Sequence, residues 1–137
     1  MKEKERYTLG KNERLKSRKD IEQLFAAGRS FSVFPFKVIY LNSTPAQAPR
    51  LQAAFSVSKR HFKKATQRNR IKRLMREAYR LQATEIKELA IANKLQLQVF
   101  IIYTSNEIPV FELVKEKMAH IIHRIKKMAH EKTDANT

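Results

Sequence analysis

Residues 51–81 read LQAAFSVSKRHFKKATQRNRIKRLMREAYRL, and the change of period inside this stretch decides the fold. Leu51, Ala53, Phe55 and Val57 alternate with Gln52, Ala54, Ser56 and Ser58, the period-two pattern of a strand. From about Arg68 to Ala90 the period becomes 3.6. Ile71, Leu74, Met75, Ala78 and Leu81 fall on one side of a helix, extended by Ile86 and Leu89. Residues 59–67 are a basic connection between the two.

Upstream, Phe34, Phe36, Val38 and Tyr40 share one face of a strand over Phe34–Leu41, with Pro35 suited to an edge or a strand start. Asn42–Pro49 is a loop, which makes the strand at 51–57 the expected hairpin partner of the one before it. A first helix is punctuated by Ser17 as N-cap, Asp20 as a capping acid and Gly28 as terminator, with Ile21, Leu24 and Phe25 as its apolar stripe. Downstream, Leu95, Leu97 and Val99 run into Phe100–Tyr103, a strand buried on both faces. Pro109 opens a last helix whose stripe is Val110, Leu113, Val114, Met118, Ile121, Ile122 and Ile125. The order α-β-β-α-β-α predicts an α+β two-layer sandwich, because the helices need a sheet to bury against. The expected organisation is a basic flexible arm at 1–16, a single folded domain at 17–130, and a disordered tail at 131–137.

Charge narrows the function. Twenty-nine Lys and Arg oppose 13 Asp and Glu among 137 residues, a formal +16. A compact body with that much like charge is tolerated most easily beside a polyanion. Two glycines preclude a glycine-rich phosphate loop, and the absence of cysteine precludes disulfides, thiolate zinc sites and a Cys nucleophile. No apolar run approaches the roughly 20 residues of a membrane span, so the expectation is a cytoplasmic protein without membrane or small-molecule cofactor partners.

The basic helix carries the densest signal. Asn69, Lys72, Arg73, Arg76 and Arg80 fan across the face opposite Ile71, Leu74, Met75 and Ala78, with Glu77 the single acid among them. A solvated helix face normally mixes signs at i,i+4 spacing, and this one scarcely does. Arg68, Arg70, Lys72 and Arg73 also crowd the positive end of the helix dipole, at about 0.3–1 kcal/mol each, a cost that a bound phosphate offsets. Aromatic residues on the first helix and strands are mostly core candidates. Beside Lys and Arg, however, Phe25 and Tyr40 also suit base stacking. Catalytic candidates are weak: Asp20 is a cap, Asp134 lies in the tail, and the glutamates are dispersed. Glu116, His120 and His123 read more simply as a helix surface than as metal ligands, and nothing positions His61 as an acid–base group.

Phe55–Arg60 followed by Arg68-Asn69-Arg70-Ile71-Lys72-Arg73-Leu74-Met75-Arg76-Glu77-Ala78 resembles the protein component of bacterial ribonuclease P, and Leu15–Asp20 through Phe25 and Gly28–Ser30 is similar to that family's opening helix. The resemblance implies a left-handed βαβ crossover. It also implies a protein subunit that binds a catalytic RNA and the 5′ leader of precursor tRNA, while the RNA and Mg²⁺ perform the hydrolysis. Carried over, Arg68, Asn69, Arg70, Lys72, Arg73 and Arg76 would face the catalytic RNA. Ile21, Phe25, Tyr40, Ser56, Ser58, Lys59 and Arg60 would border the leader cleft. No protein residue would be catalytic or bind metal. Ile21 stands where the family often has an aromatic, and a one-residue shift of register would turn Tyr40 to the other face. The rival readings are a non-catalytic RNA-binding module, such as a ribosomal protein or RNA chaperone, and a free-standing nuclease using His61 or the His120/His123 pair.

Overall fold

A computed structural model describes residues 14–43 and 50–135. The elements are α1 (Arg18–Ala27), β1 (Arg29–Val33), β2 (Phe36–Ser43), β3 (Arg50–Val57), α2 (Ala65–Arg80), α3 (Thr84–Ala92), β4 (Gln96–Tyr103) and α4 (Phe111–Ala135). The four strands form one sheet in the order β1-β2-β4-β3. β2 is antiparallel to β1 and β4, whereas β3 runs parallel to β4. The β3–α2–α3–β4 connection is thus the βαβ crossover that the resemblance implies to be left-handed.

The expected hairpin between β2 and β3 does not form, because β4 lies between them. The cause is in β4 itself. Its apolar run Val99–Tyr103 is central and needs a strand on each edge, so it displaces the sequence-adjacent pairing. β1 was not foreseen. Only Phe31 of Arg29–Val33 is buried, so its alternation is faint, and it forms by pairing along β2 from Arg29↔Tyr40 to Val33↔Phe36. The long helix expected to about Ala90 is divided at Leu81–Ala83, where the Gln82 side-chain amide donates to Ala78 O and to Lys115 O.

Strand alternation sorts the core. Phe36, Val38 and Tyr40, with Leu51, Ala53 and Val57 and with Leu97, Val99, Ile101 and Tyr103, face α2, α3 and α4. They meet Ile71, Met75, Ala78 and Tyr79 of α2, Ile86 of α3, and Val114, Met118, Ile121 and Ile125 of α4. The opposite face carries Ile39, Leu41, Ala54, Phe100 and Ile102, partly covered by Leu15 and by Ile21 and Leu24 of α1. Ser17 caps α1 as expected, its Oγ accepting from Asp20 N–H at 3.3 Å. Gly28 is required where α1 meets β2, since a Cβ there would lie 2.5 Å from Leu24 O and 2.8 Å from Tyr40 O.

Two expected boundaries move. Residues 14–16 are not part of an arm: Leu15 is buried, its N–H donates to Ala53 O at 2.9 Å, and Arg14 bridges Ala53 in parallel. β3 would otherwise be a bare edge, and Leu15 covers it. The rest of the arm, residues 1–13, lies outside the described residues. At the other end α4 continues through 131–135, because Glu131–Ala135 contains no glycine or proline to stop it. Residues 136–137 of the expected tail lie outside the described residues.

Candidate nucleic-acid interface

α2 is amphipathic in the sense the sequence predicts. Ile71, Met75, Ala78 and Tyr79 are buried against the sheet, which leaves Asn69, Arg70, Arg73 and Arg76 exposed and Lys72 half-buried. Its N-cap, Lys64, makes no side-chain cap hydrogen bond, and no acid stands in the first turn. The single acid within the helix, Glu77, is paired with Arg80 at 2.6 Å. Arg70, Arg73 and Arg76 have no ion pair among the described residues. The positive charge of Arg70, Arg73 and Arg76 is therefore uncompensated among the described residues.

Arg68 differs from its neighbours. It is half-buried, and its Nη1 donates to Phe62 O and to Lys63 O, each at 2.9 Å. Phe62 is buried and its ring lies against Tyr103, with centroids 6.3 Å apart. The guanidinium thus ties the 58–64 turn to the start of α2. The density of cations around Arg68 hid this structural role from the sequence.

On the α1 side, pairing registers lay out two cross-strand rows. Lys37, Ile102 and Ser56 form one, and Ile39, Phe100 and Ala54 the next. Phe25 of α1 lies on Phe100, ring centroids 5.1 Å apart and tilted by 60°, and remains 49 % exposed. Ile21 is half-buried beside this group. Ser56 and Ser58 are half-buried, the Ser58 Oγ accepts from Arg60 N–H at 3.1 Å, and Lys59 and Arg60 are exposed. Ile21, Phe25 and Ser56 thus border one apolar shelf, and the turn at 58–64 carries the chain from its edge to the cationic helix.

Tyr40 does not join them. It is buried on the α4 side of the sheet, its ring 5.9 Å from that of Phe31, and Ile39 occupies the shelf instead. Period two decides this: Tyr40 must follow Phe36 and Val38 into the main core. Sequence reasoning missed Phe100, Ile102 and Lys37. Phe100 and Ile102 sit inside a continuous apolar run in which neither face is marked as solvent-facing, so only the register assigns them to the shelf.

Among the described residues no three His, Cys, Asp or Glu are grouped so as to hold a metal ion. His61, His120 and His123 are all exposed. No helix of the described residues is long and apolar enough to cross a membrane.

Comparison with known proteins places these surfaces in context. A family model described as Ribonuclease P matches residues 9–127. The ribonuclease P protein component of Porphyromonas gingivalis is 34 % identical over 119 residues, 87 % of each chain. That of Chlorobium phaeobacteroides is 31 % identical over 129 residues, covering 87 % of this chain and 88 % of the other. Among solved structures, the Thermotoga maritima RNase P protein superposes with a TM-score of 0.65 at 25 % identity over 82 % of this chain and 96 % of that one. The Staphylococcus aureus RNase P protein superposes with a TM-score of 0.67 at 20 % identity over 85 % and 97 %, a likeness of fold.

Proposed function

The chain belongs to the ribonuclease P protein family, as a protein subunit of that endoribonuclease, and from this premise we propose how its two surfaces divide the work. Its partners in general are the ribonuclease P RNA and a tRNA substrate. The exposed face of α2, with Asn69, Arg70, Lys72, Arg73 and Arg76, binds the catalytic RNA. Arg68 shapes the turn that presents this face. The shelf formed by Ile21, Phe25, Phe100 and Ser56, with Ser58, Lys59 and Arg60 at its edge, takes the 5′ leader of precursor tRNA. The observation that carries this reading is the row Arg70, Arg73 and Arg76, whose charge has no partner within the described residues.

RNA phosphates supply the missing partner, and planar guanidinium groups suit them bidentately. A shelf with one exposed ring beside hydroxyls and cations suits a single strand, whose bases stack while its backbone meets charge. The donor set of the described side chains does not fit a protein-held Mg²⁺. In this proposal Mg²⁺ is held mainly by the RNA subunit and substrate, and the site of action is the cytoplasm.

The test is cleavage of a precursor tRNA at low Mg²⁺ by this protein alone, by a bacterial ribonuclease P RNA alone, and by the two together. Mature 5′ ends formed efficiently only by the mixture are the expected result. Cleavage by the protein alone would establish a protein nuclease instead. A mixture no better than the RNA alone would leave a plain RNA-binding module.

A further inference from the structure

Beyond α2 and the α1 shelf, one more surface departs from what a +16 protein should expose. Phe34 is 75 % exposed, Val110 65 % and Ile108 38 %, and these three residues line one groove. The groove encloses about 630 Å³ between the β1–β2 turn and the segment leading into α4, with Pro35, Tyr103 and Pro109 contributing to its walls. That volume falls within the roughly 300–1,000 Å³ of clefts that hold small organic groups.

The walls are held in place rather than loosely gathered. Thr104 ties β4 to the turn, its N–H donating to Pro35 O at 2.8 Å and its Oγ1 donating to the same oxygen at 2.9 Å. Tyr103 OH donates to Glu107 O at 2.5 Å, and Glu107 N–H donates to Ser105 Oγ at 3.2 Å. Burial keeps the Tyr103 hydroxyl protonated above its ordinary range, so that this tie persists. The rim carries two charges, Lys117 and Glu107.

We infer that this groove binds one unpaired nucleobase of the RNA partner, stacked on the Phe34 ring, with Lys117 meeting the adjoining phosphate and Glu107 accepting from base N–H groups. The inference rests on the reading that this chain binds RNA, and assigns it a contact outside α2 and the leader shelf. Three features favour a base over other occupants. A flat exposed ring beside one cation is the arrangement that grips single-stranded nucleic acid. Tyr103, which lines the groove, also packs its ring on Phe62 of the 58–64 turn that leads to the proposed RNA surface. A second copy of this chain, with its own +16, would approach against strong repulsion.

The experiment measures binding of the full chain to a bacterial ribonuclease P RNA over a range of salt, for wild type, Phe34→Ala, Phe34→Trp and Val110→Ser, with sedimentation of each protein alone. Phe34→Ala should weaken binding by roughly 5- to 150-fold, the worth of one stacked base, with an unchanged salt slope because no charge is removed. Phe34→Trp should bind within a few-fold of wild type, and Val110→Ser should lose a smaller factor. Equal affinity of Phe34→Ala and wild type overturns the inference, as does failure of tryptophan to restore binding. A wild-type dimer that Phe34→Ala abolishes, at unchanged RNA affinity, reassigns the groove to a second copy. Wild type that fails to bind the RNA overturns the proposed function itself, a result distinct from the other three.

Discussion

Phe25 and Phe100 come from α1 and β4, and their rings meet at 5.1 Å between centroids on the sheet face turned away from the main core. The contact leaves Phe25 half in solvent, so its ring is braced from beneath while one surface remains open. A braced, half-open ring loses little entropy on stacking.

Phe25→Ala should therefore lower affinity for precursor tRNA with a leader by roughly 5- to 150-fold, while mature tRNA binds as before. Comparing the two substrates in one titration checks it. Equal losses for both would place the ring's contribution outside the leader shelf.

Arg68 and Arg70 stand two residues apart and should fail differently. Arg68→Lys gives up the guanidinium nitrogen Nη1 that donates to two consecutive carbonyls, so thermal unfolding should show a loss of about 1.5–3 kcal/mol. Arg70→Ala should unfold like the wild type, bind RNA more weakly, and reduce the slope of log K against log salt by about 0.7–0.9. A stability change in Arg70→Ala, or none in Arg68→Lys, would contradict the assignment.

Gly28→Ala should destabilise the fold by about 1–3 kcal/mol, because the new methyl group meets two backbone oxygens that belong to α1 and β2. Denaturant midpoints at constant m-value report it. The leader shelf should suffer with it, since Gly28 sets how closely α1 approaches β2.

Glu85 of α3 is hydrogen-bonded to Lys126 of α4, and that bond, then the ammonium charge, holds its carboxyl below the ordinary 4.5. A depressed carboxylate contributes stability above its unfolded pKa, and that contribution fades as pH falls from about 4.5 through the lowered folded value. Wild type should thus exceed Glu85→Gln in stability at neutral pH and converge with it in acid. The pair is exposed, so added salt should narrow the same gap. A gap that persists in acid would show that the bond, rather than the charge, joins the two helices.

The strands at β2, β3 and β4, the capped α1 and the cationic α2 were legible because each is a local pattern with a period or a cap. β1 was not, since Phe31 alone marks it and β2 supplies the pairing. The break between α2 and α3 was hidden because Leu81 continues the helical spacing, although it ends 44 % exposed while Gln82 turns to reach Lys115 O. On the α1 shelf, Ile21, Phe25 and Ser56 could be named from the family resemblance. Phe100 and Ile102 could not, and Tyr40, whose face the strand register left open, turns to the main core instead.

By itself the sequence determined the composition of each surface: a helix rich in cations and nearly free of acids, alternating strands, and a chain so basic that a polyanion partner follows. Period and charge are local or additive properties, so they survive without knowledge of neighbours. Only the tertiary structure decided which strand enters the middle of the sheet. That single choice put β4 between β2 and β3, set Phe100 under Phe25, and brought Phe34 and Val110 to one groove. Strand order depends on burying β4 along both edges and on both faces at once, a global condition that no window of sequence contains.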